Sequence, residues 1–298
     1  MHVKTTEVKI KSKKIFFENV EPYLYLMPAL IIFGIFVFFP LGKTIFLSLN
    51  ATTPQGKISY FVGLDNYINL MKSPSFRNSL FVTGKFALIN VAFSIFIGFI
   101  VSILANEKVF GTGVFRTIYA LPMAISSASA AIIWMFIFHP SIGILNYTLK
   151  LHIGWLTDPN WALFSVAIVT IWMNIGINFI FIIAALQNIP ADLYESASID
   201  GASFFRKHLS ITIPSIMPTL FFLLIIDIIN SFQAFGQINL MTTGGPGEAT
   251  NLIVYSIYRE AFFNNRYGIA SAESIILFII LLILTIFQFK VGEKKVNY

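Results

Sequence analysis

Two apolar stretches of the chain contain hydrogen-bonding side chains at helical spacing. Asp227, Ser231 and Ala234 follow one another at i, i+4 and i+7, so they share one face of a helix. In an earlier stretch, Thr170, Asn174 and Ile177 form a comparable face, and Met173 and Asn178 are adjacent to it. Asn230 and Gln233 follow Asp227 in the later stretch. Such a face can bind a polar solute, and its carboxylate can also bind a proton or an ion. The alternative is that these groups only form hydrogen bonds between helices.

The elements that must position these side chains are membrane spans. The chain has 298 residues, of which 56% are hydrophobic and 11% charged, whereas a soluble domain carries about 25% charged residues. Six apolar runs are long enough to cross a bilayer, at 22–42, 81–104, 118–138, 161–186, 215–237 and 269–289. The sequence therefore predicts an all-α polytopic membrane protein with six transmembrane helices.

The position of Asp227 within its span makes it a functional candidate. A helix rises 1.5 Å per residue, so Asp227 lies about 20 Å beyond Pro214 and deep in the fifth span. A charged side chain at this depth costs at least about 2.5–3.5 kcal/mol on insertion scales. That cost favours a role in a solute pathway, with a purely structural hydrogen bond as the alternative.

The distribution of Lys and Arg predicts the orientation in the membrane. Residues 1–21 form a basic tail, 22–290 a six-span domain and 291–298 a second tail. Twelve Lys and Arg residues flank the spans on the side of the two tails, against six on the other side. Basic residues are enriched in cytoplasmic loops. The sequence therefore predicts a multi-pass protein of the cell membrane with both termini and residues 191–214 in the cytoplasm.

Residues 191–214 form a polar segment between two apolar runs. Pro190 is suited to the start of a helix, and Gly201 suits a helix end where the chain turns with positive φ. Ser203 can then cap a second short helix. The segment is predicted to be a helix, a glycine turn and a second helix at the membrane surface.

This segment resembles the EAA loop of ABC importer permeases. The residues that carry the resemblance stand at the family spacing: Glu195, Ala197, Asp200, Gly201, Ala202, Ile211 and Pro214. Ser196 replaces the usual second alanine, and His208 stands where sugar-type members often have an aromatic residue. In that family the loop is the cytoplasmic coupling helix, which docks into a groove on the ATPase subunit.

Three further segments, at 61–67, 139–146 and 242–247, are similar to permeases of the carbohydrate-uptake branch, so the resemblance covers nearly the whole chain. Within the branch the pattern is most like the glycerol-3-phosphate permeases. The resemblance implies a second permease subunit, two ATPase subunits that bind ATP and Mg, and an extracellular solute-binding protein. It also implies that the fourth and fifth spans line the solute site.

The segment 251–263 follows the last of these three segments. It places Leu252, Tyr255, Tyr258 and Phe262 on one helical face, which predicts a helix lying in the membrane interface.

The sequence lacks the residues that several other kinds of functional site require. The glycines at 244–247 are not followed by Lys-Ser/Thr, so they form no phosphate-binding loop. No two histidines share a face at ligand spacing, and no Ser/His/Asp constellation is present. The sequence therefore predicts no catalytic site, no metal site and no cofactor in this chain. Because the basic residues cluster at span ends, a nucleic-acid partner is not expected either.

Two rival functions and the solute remain open at this point. A secondary transporter could use Asp227 as its proton or ion site, and a membrane-embedded enzyme is the other rival. A doubly charged phosphate would be repelled by an ionised Asp227, and the fourth and fifth spans offer no arginine to offset it. This argument favours a neutral sugar, whereas the resemblance favours glycerol-3-phosphate.

Overall fold

The structure is a computed structural model that describes residues 22–106 and 111–292. Its helices are α1 Pro22–Ser48, α2 Asp65–Lys72, α3 Pro74–Asn106, α4 Thr112–Ala120, α5 Ser127–Ile137, α6 Ile144–Leu149, α7 Pro159–Gln187, α8 Ala191–Ile199, α9 Phe204–Lys207, α10 Met217–Phe232, α11 Gly236–Met241, α12 Ile253–Tyr258 and α13 Tyr267–Gly292. Strands β1 (Asn50–Thr52) and β2 (Ile58–Phe61) form an antiparallel hairpin with Asn50 opposite Phe61. Residues 1–21 and 293–298, which hold the predicted basic tail and most of the second tail, lie outside the described residues.

Five of the six predicted spans correspond to helical segments of the required length and hydropathy. Within the described residues, α1, α3, α7, α13 and the segment Met217–Met241 can each cross a membrane. The sixth is a bent pair, which is described below. We call the end of the bundle that carries residues 191–214 the loop end, and the end with the β1–β2 hairpin the hairpin end. The all-α polytopic fold predicted from the sequence is confirmed.

The third span, which the sequence predicts over 118–138, consists of two helices with a break between them. The axis of the chain bends by 107° between its two halves, Gly113–Ala124 and Ser127–Ile137. Pro122 lies in the 3-10 turn at the break, where it cannot donate a backbone hydrogen bond. Ser126 then starts α5 anew, because its side chain accepts a hydrogen bond from the Ser129 N–H at 3.1 Å. Proline and a serine cap together break the span.

The buried core lies where α3 and α7 pack, and this is the most extensive helix pair in the described chain. The main cluster includes Phe86 of α3, Val166 of α7 and Ile238 of α11. Helix α12 also turns its apolar face into this core: Leu252 and Tyr255 are buried, and Tyr258 packs against Phe235 with ring centroids 4.9 Å apart. Neighbouring helices therefore cover the first part of the face that the sequence assigned to the membrane interface, whereas Phe262 at the end of that face is 67% exposed. The interfacial position of this segment stays a prediction.

A second cluster fixes both ends of the 191–214 segment. Ile182 and Leu186, in the last turns of α7, pack with Ile216 and Leu223 at the start of the fifth span. All four are buried. The segment is therefore held between two helices that touch each other at the loop end.

Candidate functional site

The first half of the 191–214 loop is fixed by its own backbone. Helix α8 ends in a Schellman motif, in which the Ala202 N–H bonds the Ala197 carbonyl at 2.9 Å and the Gly201 N–H bonds the Ser198 carbonyl at 3.1 Å. Gly201 has φ +73° there, as the sequence predicts. Residues with a Cβ rarely adopt this conformation, so a glycine suits the turn.

The second half of the loop is tied back to the first by side chains. Ser203 caps α9 as predicted, since its hydroxyl accepts a hydrogen bond from the Arg206 N–H at 3.4 Å. The Tyr194 hydroxyl lies 2.8 Å from the Thr212 hydroxyl, and Lys207 Nζ donates to Ser198 Oγ at 2.7 Å. The two short helices therefore form one unit rather than two independent segments.

The loop presents an exposed surface. Glu195, Asp200, Gly201 and Pro214 are exposed, while Ala197 and Ala202 are half-buried. Apolar side chains are exposed beside them: Ile199 (88%), Phe205 (76%) and Leu209 (65%). Exposed apolar groups rimmed by polar ones are typical of protein interaction sites. A groove of about 620 Å³ lies on this surface, lined by Ala197, Asp200, Gly201, Ala202, Ser203, Arg206, Lys207, Ser210 and Ile211.

Three spans are joined by a buried group of side chains that we call the polar core: Asn90, Ser94, Asn178, Asp227 and Ser231. Asn178 of α7 donates its amide N–H to Asp227 Oδ2 of α10 at 2.8 Å. Asn90 of α3 donates to Ser231 Oγ at 2.6 Å, and Ser94 donates to Asn90 Oδ1 at 3.2 Å. All five residues have no exposed surface within the chain. The polar core therefore bonds α3, α7 and α10 together.

A glycine places Asn178 in this group. A Cβ on Gly98 of α3 would lie 2.8 Å from Cβ of Asn178, which is closer than real Cβ atoms approach. The absence of a side chain at Gly98 thus allows α3 and α7 to meet where Asn178 reaches Asp227. The sequence argument did not single out Asn90, Ser94 or Gly98. Asn90 could have been found by the signal that identified Asp227, namely an amide or acid side chain inside an apolar run.

The second predicted face, on α7, lies beside the polar core. Thr170 is buried and donates to the Val166 carbonyl at 3.2 Å, and Gln237 Nε2 donates to the Met173 sulfur at 3.4 Å. Asn174 and Ile177 are half-buried, and the Asn174 side-chain nitrogen has no hydrogen-bond partner among the described residues. Asn230 of α10 is exposed. The structure thus separates the predicted residues into a buried set and a more accessible set. The buried residues are Thr170, Asn178, Asp227 and Ser231, and the more accessible ones are Met173, Asn174, Ile177 and Asn230.

Comparison with known proteins identifies the family. A family model described as "Binding-protein-dependent transport system inner membrane component" matches residues 94–296. The chain belongs to this family. The sn-glycerol-3-phosphate transport system permease protein UgpA of Agrobacterium fabrum is 38% identical over 288 residues, which cover 95% of this chain and 98% of that relative.

Solved structures of ABC transporters have the same fold as this chain. A chain of a bacterial ABC transporter involved in the import of the acidic polysaccharide alginate matches with a TM-score of 0.82 and 26% identity, over 95% of this chain and 99% of that one. A chain of the alginate transporter in complex with an alginate pentasaccharide-bound periplasmic protein matches with a TM-score of 0.77 and 26% identity, over 93% of this chain and 97% of that one. The chain is therefore a membrane permease subunit of the ABC importer class.

Proposed function

We propose that this permease moves glycerol-3-phosphate, or a closely similar acidic polyol, by alternating access driven by separate ATPase subunits. The observation that carries the proposal is the exposed, internally braced 191–214 loop in a chain that belongs to the importer family. A loop held as one unit can transmit a movement of a docked partner to the spans at its two ends. The chain itself performs no covalent step in this mechanism.

The loop end faces the cytoplasm in this proposal, and both termini lie on the same side. The bias of Lys and Arg towards the tails and the loop end supports this orientation. Two ATPase subunits, which bind ATP and Mg, dock at the loop ends of this permease and of a second permease subunit. An extracellular solute-binding protein delivers solute at the hairpin end. The periplasmic protein bound to the similar alginate transporter supports that arrangement.

Each loop residue has a part in docking to the ATPase. Exposed Glu195 and Asp200 supply acceptors for donors on the ATPase, while Ala197 and Ala202 keep the groove shallow enough for close approach. Gly201 holds the turn, and Pro214 lies where the loop joins the fifth span. The exposed apolar side chains Ile199 and Phe205 provide the hydrophobic part of the contact.

The solute pathway follows the α7 face, with Thr170, Met173, Asn174 and Ile177, and includes Asn230 of α10. The side-chain nitrogen of Asn174 is buried and has no hydrogen-bond partner among the described residues. This supports the assignment, because a buried donor of this kind requires a partner and a polar solute is a candidate for it. Asp227 and Ser231 belong to the same proposal as positioning residues, since they have no exposed surface here. Asp227 holds α10 against α7, and Ser231 holds α10 against α3.

The burial of Asp227 also bears on the class of solute. Its Oδ2 accepts a hydrogen bond from Asn178, and the carboxyl does not reach an open surface of the chain. An ionised Asp227 in that position would not contact a phosphate directly, so the sequence-based argument for a neutral sugar loses force. The relative named for sn-glycerol-3-phosphate and the neighbour that imports an acidic polysaccharide both support an acidic solute.

Uptake into proteoliposomes with the complete importer tests this proposal. Labelled glycerol-3-phosphate should enter only with ATP and binding protein, and unlabelled glycerol-3-phosphate should compete far better than maltose-like sugars. Asn174→Ala should change the concentration dependence of uptake, whereas Asp227→Asn should chiefly lower thermal stability. Stronger competition by the neutral sugar would overturn the solute assignment. Immediate loss of uptake when an ionophore collapses the proton gradient at constant ATP would overturn the ATP-driven mechanism.

A further inference from the structure

A group of five charged side chains lies at the hairpin end, away from the loop and the polar core. We call it the hairpin-end cluster: Glu248, Arg259, Glu260, Arg266 and Glu273. Glu248 pairs with Arg259 at 3.0 Å, and Glu260 pairs with Arg266. These two pairs balance four of the five charges, and Glu273 forms no ion pair of its own among the described residues.

Glu273 is deeply buried near the start of α13, with 2% of its surface exposed. Its Oε1 accepts a hydrogen bond from the Ser256 hydroxyl of α12 at 3.2 Å. Its Oε2 is buried and has no hydrogen-bond partner in the described part of the chain. Burying a carboxylate is costly unless it is paired or coordinates an ion.

Glu273 is one of the residues that line a small cavity at this end of the bundle. The volume of this cavity is about 110 Å³, and a single water needs only about 10–15 Å³ of such space. The oxygen-bearing side chains that line it come from the α2–α3 junction, α12, the turn that follows α12, and α13: Asn69, Ser73, Ser75, Ser256, Glu260 and Glu273. Arg266, whose charge is paired with Glu260, and the apolar Leu70, Phe76 and Ile269 complete the lining. The cavity can therefore hold an ion together with some water on its oxygen-bearing side.

We propose that this cavity is a binding site for a monovalent cation, Na⁺, with Glu273 Oε2 as its charged ligand. A single positive charge balances the one carboxylate that the two ion pairs leave over. Among the described residues no group of three or more His, Cys, Asp or Glu is arranged to hold a metal ion, which argues against a divalent or transition-metal site. Hydroxyl, amide and carboxylate oxygens are the ligand type that hard cations prefer.

The bound ion would connect elements that are distant in the sequence. Ser75 lies at the start of α3, Ser256 in α12 and Glu273 in α13. Ser75 also donates to Glu248 Oε1 at 2.6 Å and accepts from Arg259 Nη2 at 3.0 Å, so the cavity wall is already ordered by the neighbouring ion pair. The ion would thus stabilise the hairpin end of the permease, independently of the solute that the importer carries.

Thermal unfolding of the purified importer complex tests the proposal. The midpoint should be at least about 2 °C higher in about 0.3 M NaCl than in choline chloride of equal ionic strength, because an ion that binds the folded state stabilises it. Glu273→Gln keeps the shape of the side chain but removes the charge, so it should abolish the difference between the two salts. Asp65→Asn, which removes an exposed carboxylate from the same end, is the matched control and should keep the difference.

Ser256→Ala provides a second variant if the complex with Glu273→Gln does not assemble. It removes one oxygen from the cavity without removing the carboxylate, so the Na⁺-dependent shift should become smaller. Direct binding of ²²Na⁺ to the wild-type complex should be saturable and absent from the variant that lacks the carboxylate. Equal unfolding midpoints in both salts for the wild type would overturn the proposal, since they would mean that Glu273 carries its own proton.

Discussion

The 191–214 loop and the polar core are built in opposite ways. The loop is exposed, and its shape comes from hydrogen bonds between residues close in sequence, such as Ala202 to Ala197. The polar core is wholly buried, and its bonds join residues far apart, such as Asn90 to Ser231 and Asn178 to Asp227. The loop can therefore be recognised from a short stretch of sequence, whereas the polar core requires three helices to be in place.

This difference predicts how each region responds to a substitution. A change in the loop should leave the bundle folded but weaken its coupling to the ATPase. A change in the polar core should disturb the packing of α3, α7 and α10, because an unpaired buried group costs about 1–3 kcal/mol. Three substitutions test this contrast, from the largest expected effect to the smallest.

Gly201→Val should abolish ATP-driven uptake while the spans still insert. Gly201 has φ +73°, and a residue with a Cβ pays roughly 1–2 kcal/mol there. No atom lies within 4 Å of the position of the new Cβ, so the strain acts through the turn and the docking surface rather than through a clash. Co-purification of the ATPase and solute-stimulated ATP hydrolysis measure the loss.

Gly247→Val is the matched control for this substitution. Gly247 also has positive φ, +55°, and also has open space at its Cβ position, but it lies at the hairpin end. It should leave association with the ATPase unchanged. Wild-type stimulation and uptake in Gly201→Val would contradict the coupling role of the loop.

Gly98→Ala should destabilise the bundle by about 1–3 kcal/mol. The new methyl group would lie 2.8 Å from Cβ of Asn178, so α3 and α7 must separate, and the bond from Asn178 to Asp227 weakens. Gly84→Ala on the same helix has no atom within 4 Å and should be neutral or slightly stabilising. Thermal unfolding of the purified complex compares them. If both variants melt at the wild-type temperature, the close contact at Gly98 is not important for stability.

Glu248→Gln should have the smallest effect, and one that depends on pH. The Ser75 hydroxyl and then Arg259 stabilise the charged form, so the pKa of Glu248 lies below its usual value. The resulting stability is fully present above the unfolded pKa of about 4.5 and is lost as the pH falls through the lower folded value. Because both partners are about one-third exposed, the contribution is less than about 1 kcal/mol.

Unfolding midpoints of wild type and Glu248→Gln between pH 7 and pH 4 test this prediction. The gap between the two proteins should be greatest at pH 7 and should begin to narrow once the pH falls below about 4.5. The hydrogen bond from Ser75 to Glu248 joins distant parts of the chain, as the polar core does, but Glu248 is about one-third exposed. A gap as large as that of Gly98→Ala would show that sequence separation, and not burial, sets the size of these effects.

The sequence by itself determined the features that depend on local chemistry. Length and apolar composition of the runs fix the spans, because a bilayer demands about 20 apolar residues. The glycine at 201 and the serine at 203 fix the turn and the second helix of the loop, because positive φ and an N-cap are properties of single residues.

Only the tertiary structure decided which polar side chains meet and which faces are covered. The spacing that places Asp227 and Ser231 on one face is visible in the sequence, but it does not say that Asn178 and Asn90 cover that face. The apolar face of α12 likewise suits lipid or a neighbouring helix, and the structure packs Leu252 and Tyr255 into the core. Periodicity specifies which residues share a face, whereas the partner of that face depends on contacts between segments distant in the chain.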